Sequence, residues 1–386
     1  MKKVNLNQVY LFCLWLYTFS GVVGSSVFDL GIIRKSINAF ILITLVTIII
    51  IRGKIKRNFS ILYLVLITTF IISAISTQHA NLLICMLFIL SVPNINFIDV
   101  AKISINAQII GLIIVIALSL LGILKDYTYL HLNKIAHSFG FTYYTTIPFH
   151  LLCITNMYMY INKKNKLHYT TILCLLLANT IVFYFSTVRL VYYILILSCC
   201  MYIFYIKLFN NSINTFYYRI IANIAFPMAI VFIYCITINY SPAHPVYAFL
   251  NTSIFNGRLS SSQYAMGLYP ITLFGQKINF IGGYEATYNF AANQVYTFID
   301  SGFLSSLVNE GLIFTIIIIS IYSILYRYSV TMDEKELFIY ITIILIFSLL
   351  NNIWVSLIYN PIIVLTLKAF SIELKKRLQH HKNTIL

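Results

Sequence analysis

Residues 241–302, SPAHPVYAFLNTSIFNGRLSSSQYAMGLYPITLFGQKINFIGGYEATYNFAANQVYTFIDSG, form the longest stretch of the chain without a sustained apolar run. On both sides of it, apolar runs approach the roughly 20 residues that a helix needs to cross a bilayer, with short polar turns between them. In a protein of this kind, binding and chemistry are most often found on the large loop. The sequence therefore predicts a membrane protein whose functional segment is the loop at 241–302.

The composition supports a membrane environment for the whole chain. It is 60% hydrophobic and only 9% charged, whereas a soluble domain carries roughly 25% charged residues. We predict an all-α polytopic membrane protein, one integral domain over residues 1–386, with about 12 transmembrane helices and the large loop between spans nine and ten. Strands are not indicated, and no pair of matching broken helices is apparent.

The basic residues give the chain a net charge of +16, and they cluster between the apolar runs. Clusters of this kind are topogenic signals, so we do not expect a nucleic-acid partner. The segments that connect the apolar runs alternate between the two sides of the membrane. Of the 26 Lys and Arg residues, 19 fall on the side that includes both termini, and 7 fall on the side that includes the large loop. By the positive-inside rule, both termini are predicted to be cytoplasmic and the loop extracytoplasmic.

The last three spans are predicted at about Phe303–Tyr326, Leu337–Leu350 and Val355–Phe370. A tight turn at Asn351-Asn352 joins the last two. The seven cysteines all lie inside apolar runs, which indicates small buried side chains and neither a disulfide framework nor a zinc site.

Arg189 lies in STVRL, residues 186–190, where an apolar run meets a tight turn. A guanidinium at the membrane edge either snorkels to lipid phosphates or binds a partner. Arg258 follows the Asn-Gly turn of FNGRL, residues 255–259, and precedes a predicted interfacial helix at Ser260–Leu268. Each arginine is either an ordinary interfacial cation or part of a clamp on a substrate phosphate, for which a planar fork of donors is suited.

The acidic candidates are Asp300, Glu285 and Glu310. Asp300 precedes an apolar run, so it is either a helix N-cap or a group that binds sugar or takes up a proton. Glu310 falls inside a predicted span, where a carboxylate is a functional candidate by default.

His137 is the first choice among histidines that accept protons near neutral pH, ahead of His150 and His244. None has a second ligand at metal spacing, so we predict no metal, and nucleotide-binding motifs are missing. Tyr269 and Tyr284 are placed to stack on sugar rings.

Four segments together resemble the bacterial O-antigen and capsule polymerases of the Wzy type, which are relatives of the O-antigen ligases. They are HSFGF at 137–141, STVRL at 186–190, the Gly-Arg to Gly segment at 256–275, and the segment that opens with DSGF and contains EGL at 300–312. The departures are Gln276 for a second Gly, Ser301 for Asn, and Tyr143-Tyr144 for His-Pro.

The resemblance implies a metal-independent glycosyltransferase without a cofactor, located in the bacterial cytoplasmic (inner) membrane. It would transfer a growing glycan from undecaprenyl diphosphate to the next lipid-linked repeat unit at the outer face. The partners are that lipid-linked oligosaccharide, membrane lipids and a chain-length regulator. The predicted catalytic residues are Arg189, Arg258, His137, Glu285 and Asp300, and the predicted substrate contacts are Lys277, Tyr269, Tyr284 and Glu310.

Two alternatives share much of this chemistry. The chain would be a flippase or transporter of lipid-linked oligosaccharide if its cations lined a central cavity within the spans. It would be an O-antigen ligase if the acceptor were another glycolipid.

Overall fold

The apolar runs form helices because a chain that crosses hydrocarbon must satisfy every backbone N–H and C=O group internally. The computed structural model describes residues 5–28, 30–52, 60–92, 95–131, 134–162, 169–204, 212–213, 215–282 and 296–385. Most residues in these ranges are helical.

The helices in chain order are α1 (Leu6–Val23), α2 (Gly31–Arg52), α3 (Ser60–Thr77), α4 (Ala80–Ser91), α5 (Phe97–Leu120), α6 (Thr146–Ile161), α7 (Tyr169–Ser186), α8 (Arg189–Tyr202), α9 (Phe216–Ile238), α10 (Pro245–Phe249), α11 (Arg258–Leu268), α12 (Gly302–Ser305), α13 (Leu312–Thr331), α14 (Lys335–Ser348) and α15 (Thr366–Ile385). Two π-helical turns continue α10 over Leu250–Ile254 and α12 over Ser306–Glu310, and a 3-10 turn at Pro361–Leu365 leads into α15. The strands are β1 (Thr128–His131) and β2 (Lys134–His137).

Among the described residues, six helices are long and apolar enough to cross a membrane, namely α1, α2, α5, α7, α9 and α13. Their outward faces are apolar: Ile43 and Ile50 of α2 are 69% and 71% exposed, and Ile113 of α5 is 61% exposed. Such an apolar surface is unfavourable in contact with water, whereas contact with lipid tails has no such cost. The chain is an all-α membrane protein, and the total of about 12 spans stays a prediction.

The small β-hairpin corrects the expectation that strands are not indicated. It lies between α5 and α6, where β1 and β2 run antiparallel with Thr128 opposite His137. A second, isolated bridge joins Ser26 to Phe141, supported by hydrogen bonds from the Val27 amide to Gly140 O (2.9 Å) and from the Thr142 amide to Ser25 O (3.1 Å). The connection after α1 is thus tied to the loop after the hairpin.

The twelfth span predicted over Val355–Phe370 is helical only from Pro361 onward. The residues from 351 to 360 form turns, and helical structure resumes only at Pro361. Half of these residues are buried, and Asn360 satisfies its side chain there by donating to Trp354 O (3.1 Å) and accepting from the Tyr340 hydroxyl (3.2 Å). The Tyr322 hydroxyl also donates to Trp354 O. Internal partners of this kind let a non-helical segment lie at membrane depth.

The predicted tenth span, which was expected to begin at Phe303, is broken at Gly311. The residue before the break is the last of a π-helical turn, and Gly311 itself has φ +95°. An extended part of the large loop docks here: the amide of Leu312 donates to Thr272 O (2.9 Å) and the Gln276 amide donates to Asn309 O (2.8 Å). Gly275 lies directly against the Asn309–Glu310 backbone. The interlock of Gly275 with Gly311 fixes the large loop to the membrane helices.

Contacts between connections sort into two sets. In the first set, the connections that the charge count predicts to be extracytoplasmic contact one another: Val27 with Gly140, and His131 with Thr187. In the second set, the predicted cytoplasmic segments meet: Arg52 with Asn7, Tyr160 with Glu334, and the Ile213 amide with Asp333. This division is what a chain that crosses a membrane repeatedly requires.

Replacing Gly311 with Ala should lower the thermal transition of the detergent-solubilised protein. The φ of +95° at this residue costs a non-glycine about 1–3 kcal/mol, and a Cβ would also overlap the Gly275 amide nitrogen. Gly267→Ala in α11 is the matched control, because nothing lies within 4 Å of its Cβ position and Ala is the better helix former. Equal transition temperatures for the two variants would contradict the interlock.

Candidate functional site

The first set of connections encloses a cavity of about 470 Å³, here called the polar cavity. It is lined by the end of the hairpin, the loop that leads into α6, the start of α11, both sides of the undescribed part of the large loop, and the turn after α14. The lining residues are His131, Thr142, Tyr143, Tyr144, Thr145, Phe149, Asn256, Gly257, Arg258, Ser261, Gly282, Tyr296, Phe298, Asp300, Asn351 and Asn352.

Arg258 reaches the polar cavity because a left-handed turn precedes α11. Asn256 and Gly257 have φ of +48° and +83°. Nothing lies within 4 Å of a Cβ at Gly257, so glycine is needed there for conformation rather than space. The side chain of Asn251 then accepts from the amides of Leu259 (3.1 Å) and Ser260 (3.3 Å), which satisfies the open end of the helix. The predicted helix at Ser260–Leu268 is confirmed, and it begins at Arg258.

Arg258 forms an ion pair with Asp300. Its Nε lies 3.5 Å from Asp300 Oδ1, and each side chain is 20% exposed. The Tyr296 hydroxyl donates to Asp300 Oδ2 at 3.1 Å. Burial raises the pKa of the Asp300 carboxyl above its ordinary value, and Arg258 and Tyr296 offset part of this rise. Asp300 is not a helix cap, because Ser301 occupies the cap position of α12.

His131 lies on the cavity wall at the end of β1. Its Nδ1 is 3.0 Å from the Thr187 hydroxyl. Thr187 has a φ of +56° and lies in the strained turn just before Arg189. Burial lowers the pKa of His131, and the positive charges of Arg189 and Arg258 lower it further. Both guanidinium groups therefore lie near the same imidazole. That imidazole is neutral at neutral pH, because its pKa is depressed from a value already below 7.

Arg189 itself begins α8 and is exposed. Among the described residues it has no ion-pair partner, whereas Arg258 has Asp300. The two arginines thus differ in what they offer an anion. Arg189 can bind an anion directly. Arg258 must first release the Asp300 carboxylate before it can bind an anion.

Tyrosines form the remaining wall. The rings of Tyr143 and Tyr144 lie 4.5 Å apart, each 5.1 Å from Tyr129, and the His131 ring lies 5.4 Å from Tyr144. Burial raises the pKa of Tyr143, Tyr144 and Tyr296, so their hydroxyls remain protonated donors. Aromatic faces with polar tips provide both stacking surface and hydrogen bonds.

An apolar groove of about 140 Å³ lies beside the polar cavity and shares Tyr144 with it. Its wall comes from α5, α6, α7 and the loop after the hairpin. The residues that line it are Ile116, Leu120, His137, Phe139, Tyr144, Ile147, Ile181, Val182, Phe185 and Ser186.

His137 lines this groove and not the polar cavity. Its Nδ1 lies 2.6 Å from Asp126 Oδ2, while Asp126 Oδ1 accepts from the amides of Ser138 (2.9 Å) and Phe139 (2.7 Å). The pair therefore fixes the loop after β2. This position gives the imidazole a structural partner and separates it from Arg258.

Three other predicted residues lie away from the polar cavity. Lys277 is exposed on the extended segment, and Tyr269 packs on Phe280 with ring centroids 6.1 Å apart. Glu310 is buried beside Asn309 and lines a separate cavity of about 130 Å³ next to α3. Glu285 and Tyr284 lie outside the described residues.

The polar cavity also contains residues that the sequence interpretation did not select, above all His131, Tyr296 and the Asn351-Asn352 turn. His131 belongs to a hairpin that lacks a hydropathy signal. Asn351-Asn352 is a tight turn between apolar runs. The one sequence signal that links this turn to the site is its predicted position on the same side of the membrane as the large loop. Within the described ranges, no three His, Cys, Asp or Glu side chains are grouped as metal ligands.

In comparisons with protein-family models, curated proteins and solved structures, nothing matches this chain. The four resembling segments lie at distinct places: 256–275 and 300–312 both contribute to the polar cavity, 186–190 flanks it, and 137–141 lies beside it.

Arg189→Gln and Arg258→Gln should each raise the pKa of His131, because each removes a nearby positive charge. The pKa is measured from the pH dependence of diethyl pyrocarbonate modification of His131, read by mass spectrometry. Lys277→Gln is the control and should leave the value unchanged, because Lys277 is exposed and does not line the polar cavity. An unchanged pKa in Arg189→Gln would remove Arg189 from the site.

Proposed function

We propose that the chain is a polysaccharide polymerase, a membrane glycosyltransferase that extends a glycan carried on undecaprenyl diphosphate. The observation that carries this proposal is the Arg258–Asp300 pair in a tyrosine-walled cavity, with Arg189 and a neutral His131 close by. The arginines supply charge for a diphosphate, the carboxylate accepts a proton, and the aromatic wall suits sugar rings. The apolar groove that shares Tyr144 suits the first part of a polyprenyl chain.

The reaction places the diphosphate of the donor against Arg258 and Arg189. The acceptor hydroxyl oxygen forms a bond to the anomeric carbon, and the bond from that carbon to the phosphate oxygen breaks. The electron pair leaves with the diphosphate, where it is stabilised by guanidinium groups positioned in advance. The hydroxyl proton passes to Asp300.

Among the described candidates, Asp300 is the base that the geometry favours over His137. Burial already raises the pKa of its carboxyl, and Arg258 holds the raised value down. When the diphosphate draws Arg258 away, Asp300 loses its counter-charge and becomes more basic. Substrate binding would then activate the base.

The proposal includes a location. The polar cavity lies among the connections that carry fewer Lys and Arg, so it faces the outside, and both termini are cytoplasmic. A polyprenyl diphosphate carrier at that face belongs to the bacterial cytoplasmic membrane, and a chain-length regulator is a natural partner at the same face.

A transporter of lipid-linked oligosaccharide is a second candidate. The break at Gly311 follows a buried carboxylate, Glu310, and discontinuous helices with polar groups at the break are typical of transporter sites. A null strain separates the two. Single repeat units still reach the surface without a polymerase, whereas none reaches it without the transporter. An assay with defined acceptors distinguishes an O-antigen ligase from the polymerase.

Arg258→Gln should leave the protein in the membrane but reduce long polymer to single repeat units, with a rate loss of roughly 100-fold or more. The readout is the ladder of surface glycan on a gel, with protein amount measured by immunoblot. Lys134→Gln removes a positive charge from an exposed site on the same face and should keep the long ladder. A normal ladder from Arg258→Gln would remove Arg258 from the mechanism.

The rate should fall as pH falls through the pKa of Asp300, because the base must be ionised. Burial raises this pKa, so the acid limb lies at higher pH than for an ordinary aspartate. Tyr296→Phe removes a hydrogen bond that lowers the pKa of Asp300, so the limb should move to still higher pH. The measurement is the in vitro polymerisation rate against pH. A limb that stays fixed in Tyr296→Phe but disappears in His131→Gln would make His131 the base instead.

A further inference from the structure

A second cavity of about 390 Å³, here called the basic cavity, lies where α1 turns into α2. It is lined by Gly24, Ser26, Val27, Phe28, Leu30, Gly31, Arg34, Lys35 and Asn38. Its volume is in the range of small-ligand sites, roughly 300–1,000 Å³. Neither the polar cavity nor the apolar groove includes any of these residues.

Among the described residues, the charged groups that line this cavity are cations. Arg34 is half-buried, with its guanidinium against Gly24, where a side chain would collide with it. Lys35 is exposed beside it, and the first turn of α2 contains no acidic residue. Among the described residues, neither Arg34 nor Lys35 has a carboxylate partner, and the positive end of α2 faces the same cavity. Asp29 lies outside the described residues.

The basic cavity and the polar cavity are adjacent, because backbone contacts link a segment that lines one to a segment that borders the other. Ser26 and Val27 line the basic cavity. They contact Phe141 and Gly140, and the neighbouring Thr142 lines the polar cavity. A ligand held at Arg34 is therefore on the same face as Arg258, next to the cavity that contains Asp300.

We propose that the basic cavity is a second phosphate site, which takes the diphosphate of the second lipid-linked substrate, the acceptor. This rests on the proposed function, because a transfer between two lipid-linked glycans must hold two diphosphates at once. Arg34 supplies the fork of donors and Lys35 a point charge. The acceptor sugar then extends past the 26–27 and 140–142 contact towards Asp300.

Counting bound lipid by native mass spectrometry tests the proposal without turnover. The probe is undecaprenyl diphosphate, added to full-length protein in nanodiscs of phosphatidylcholine. Wild type should bind two molecules, and the double variant Arg34→Gln/Lys35→Gln should bind one. Arg258→Gln/Arg189→Gln should also bind one, and the four combined none. Two bound molecules in Arg34→Gln/Lys35→Gln would overturn the second site.

The source of the phosphate needs its own comparison. Phosphatidylglycerol in place of the probe should bind wild type and Arg34→Gln/Lys35→Gln equally. If it instead binds wild type better and displaces the probe, the cavity is an anchor for bulk anionic lipid and the proposal fails. Loss of one probe molecule in Arg34→Gln/Lys35→Gln together with an intact glycan ladder from Arg258→Gln would sink the polymerase mechanism but leave the site. Two bound probe molecules in Arg34→Gln/Lys35→Gln together with loss of the long glycan ladder in Arg258→Gln would contradict the second site alone.

Discussion

The polar cavity depends on the interlock between two glycines, Gly275 of the large loop and Gly311 at the break before α13. Each has a positive φ. A Cβ on Gly311 would overlap the Gly275 amide nitrogen, and a Cβ on Gly275 would overlap the backbone of Asn309 and Glu310. The interlock holds the segment between α11 and α12, and thereby the two elements that carry Arg258 and Asp300. A loop of this length would otherwise sample many conformations, and ordering it has an entropic cost that these backbone hydrogen bonds offset.

The electrostatics follow from that placement. Asp300 would be costly to bury alone, and Arg258 is its only charged partner among the described residues. Burial lowers the pKa of His131, and two guanidinium groups oppose its protonation further. The charges of Arg258 and Asp300 balance each other. Arg189, which has no ion-pair partner among the described residues, adds a positive charge beside the cavity that an incoming phosphate can use. The proposed second site in the basic cavity also has an excess of positive charge, with Arg34 and Lys35.

Hydropathy predicted the membrane class and most helix positions, because this signal is spread over many residues. The helix at Arg258 followed from Asn-Gly turn chemistry. The break at Gly311, the irregular chain before Pro361 and the hairpin could not be predicted, since each is stabilised by partners far away in sequence. For the same reason the sequence points to His137 and does not single out His131. The tie of His137 to Asp126 and the proximity of His131 to both arginines are tertiary facts.

The central claim is that Arg189 and Arg258 face the same side of the membrane and share one phosphate. Arg189→Cys and Arg258→Cys, each in a variant without native cysteines, can be labelled in intact spheroplasts with a membrane-impermeant maleimide. We predict that both positions react from outside and that undecaprenyl diphosphate protects both. Labelling from opposite sides, or protection of neither position, would contradict the account.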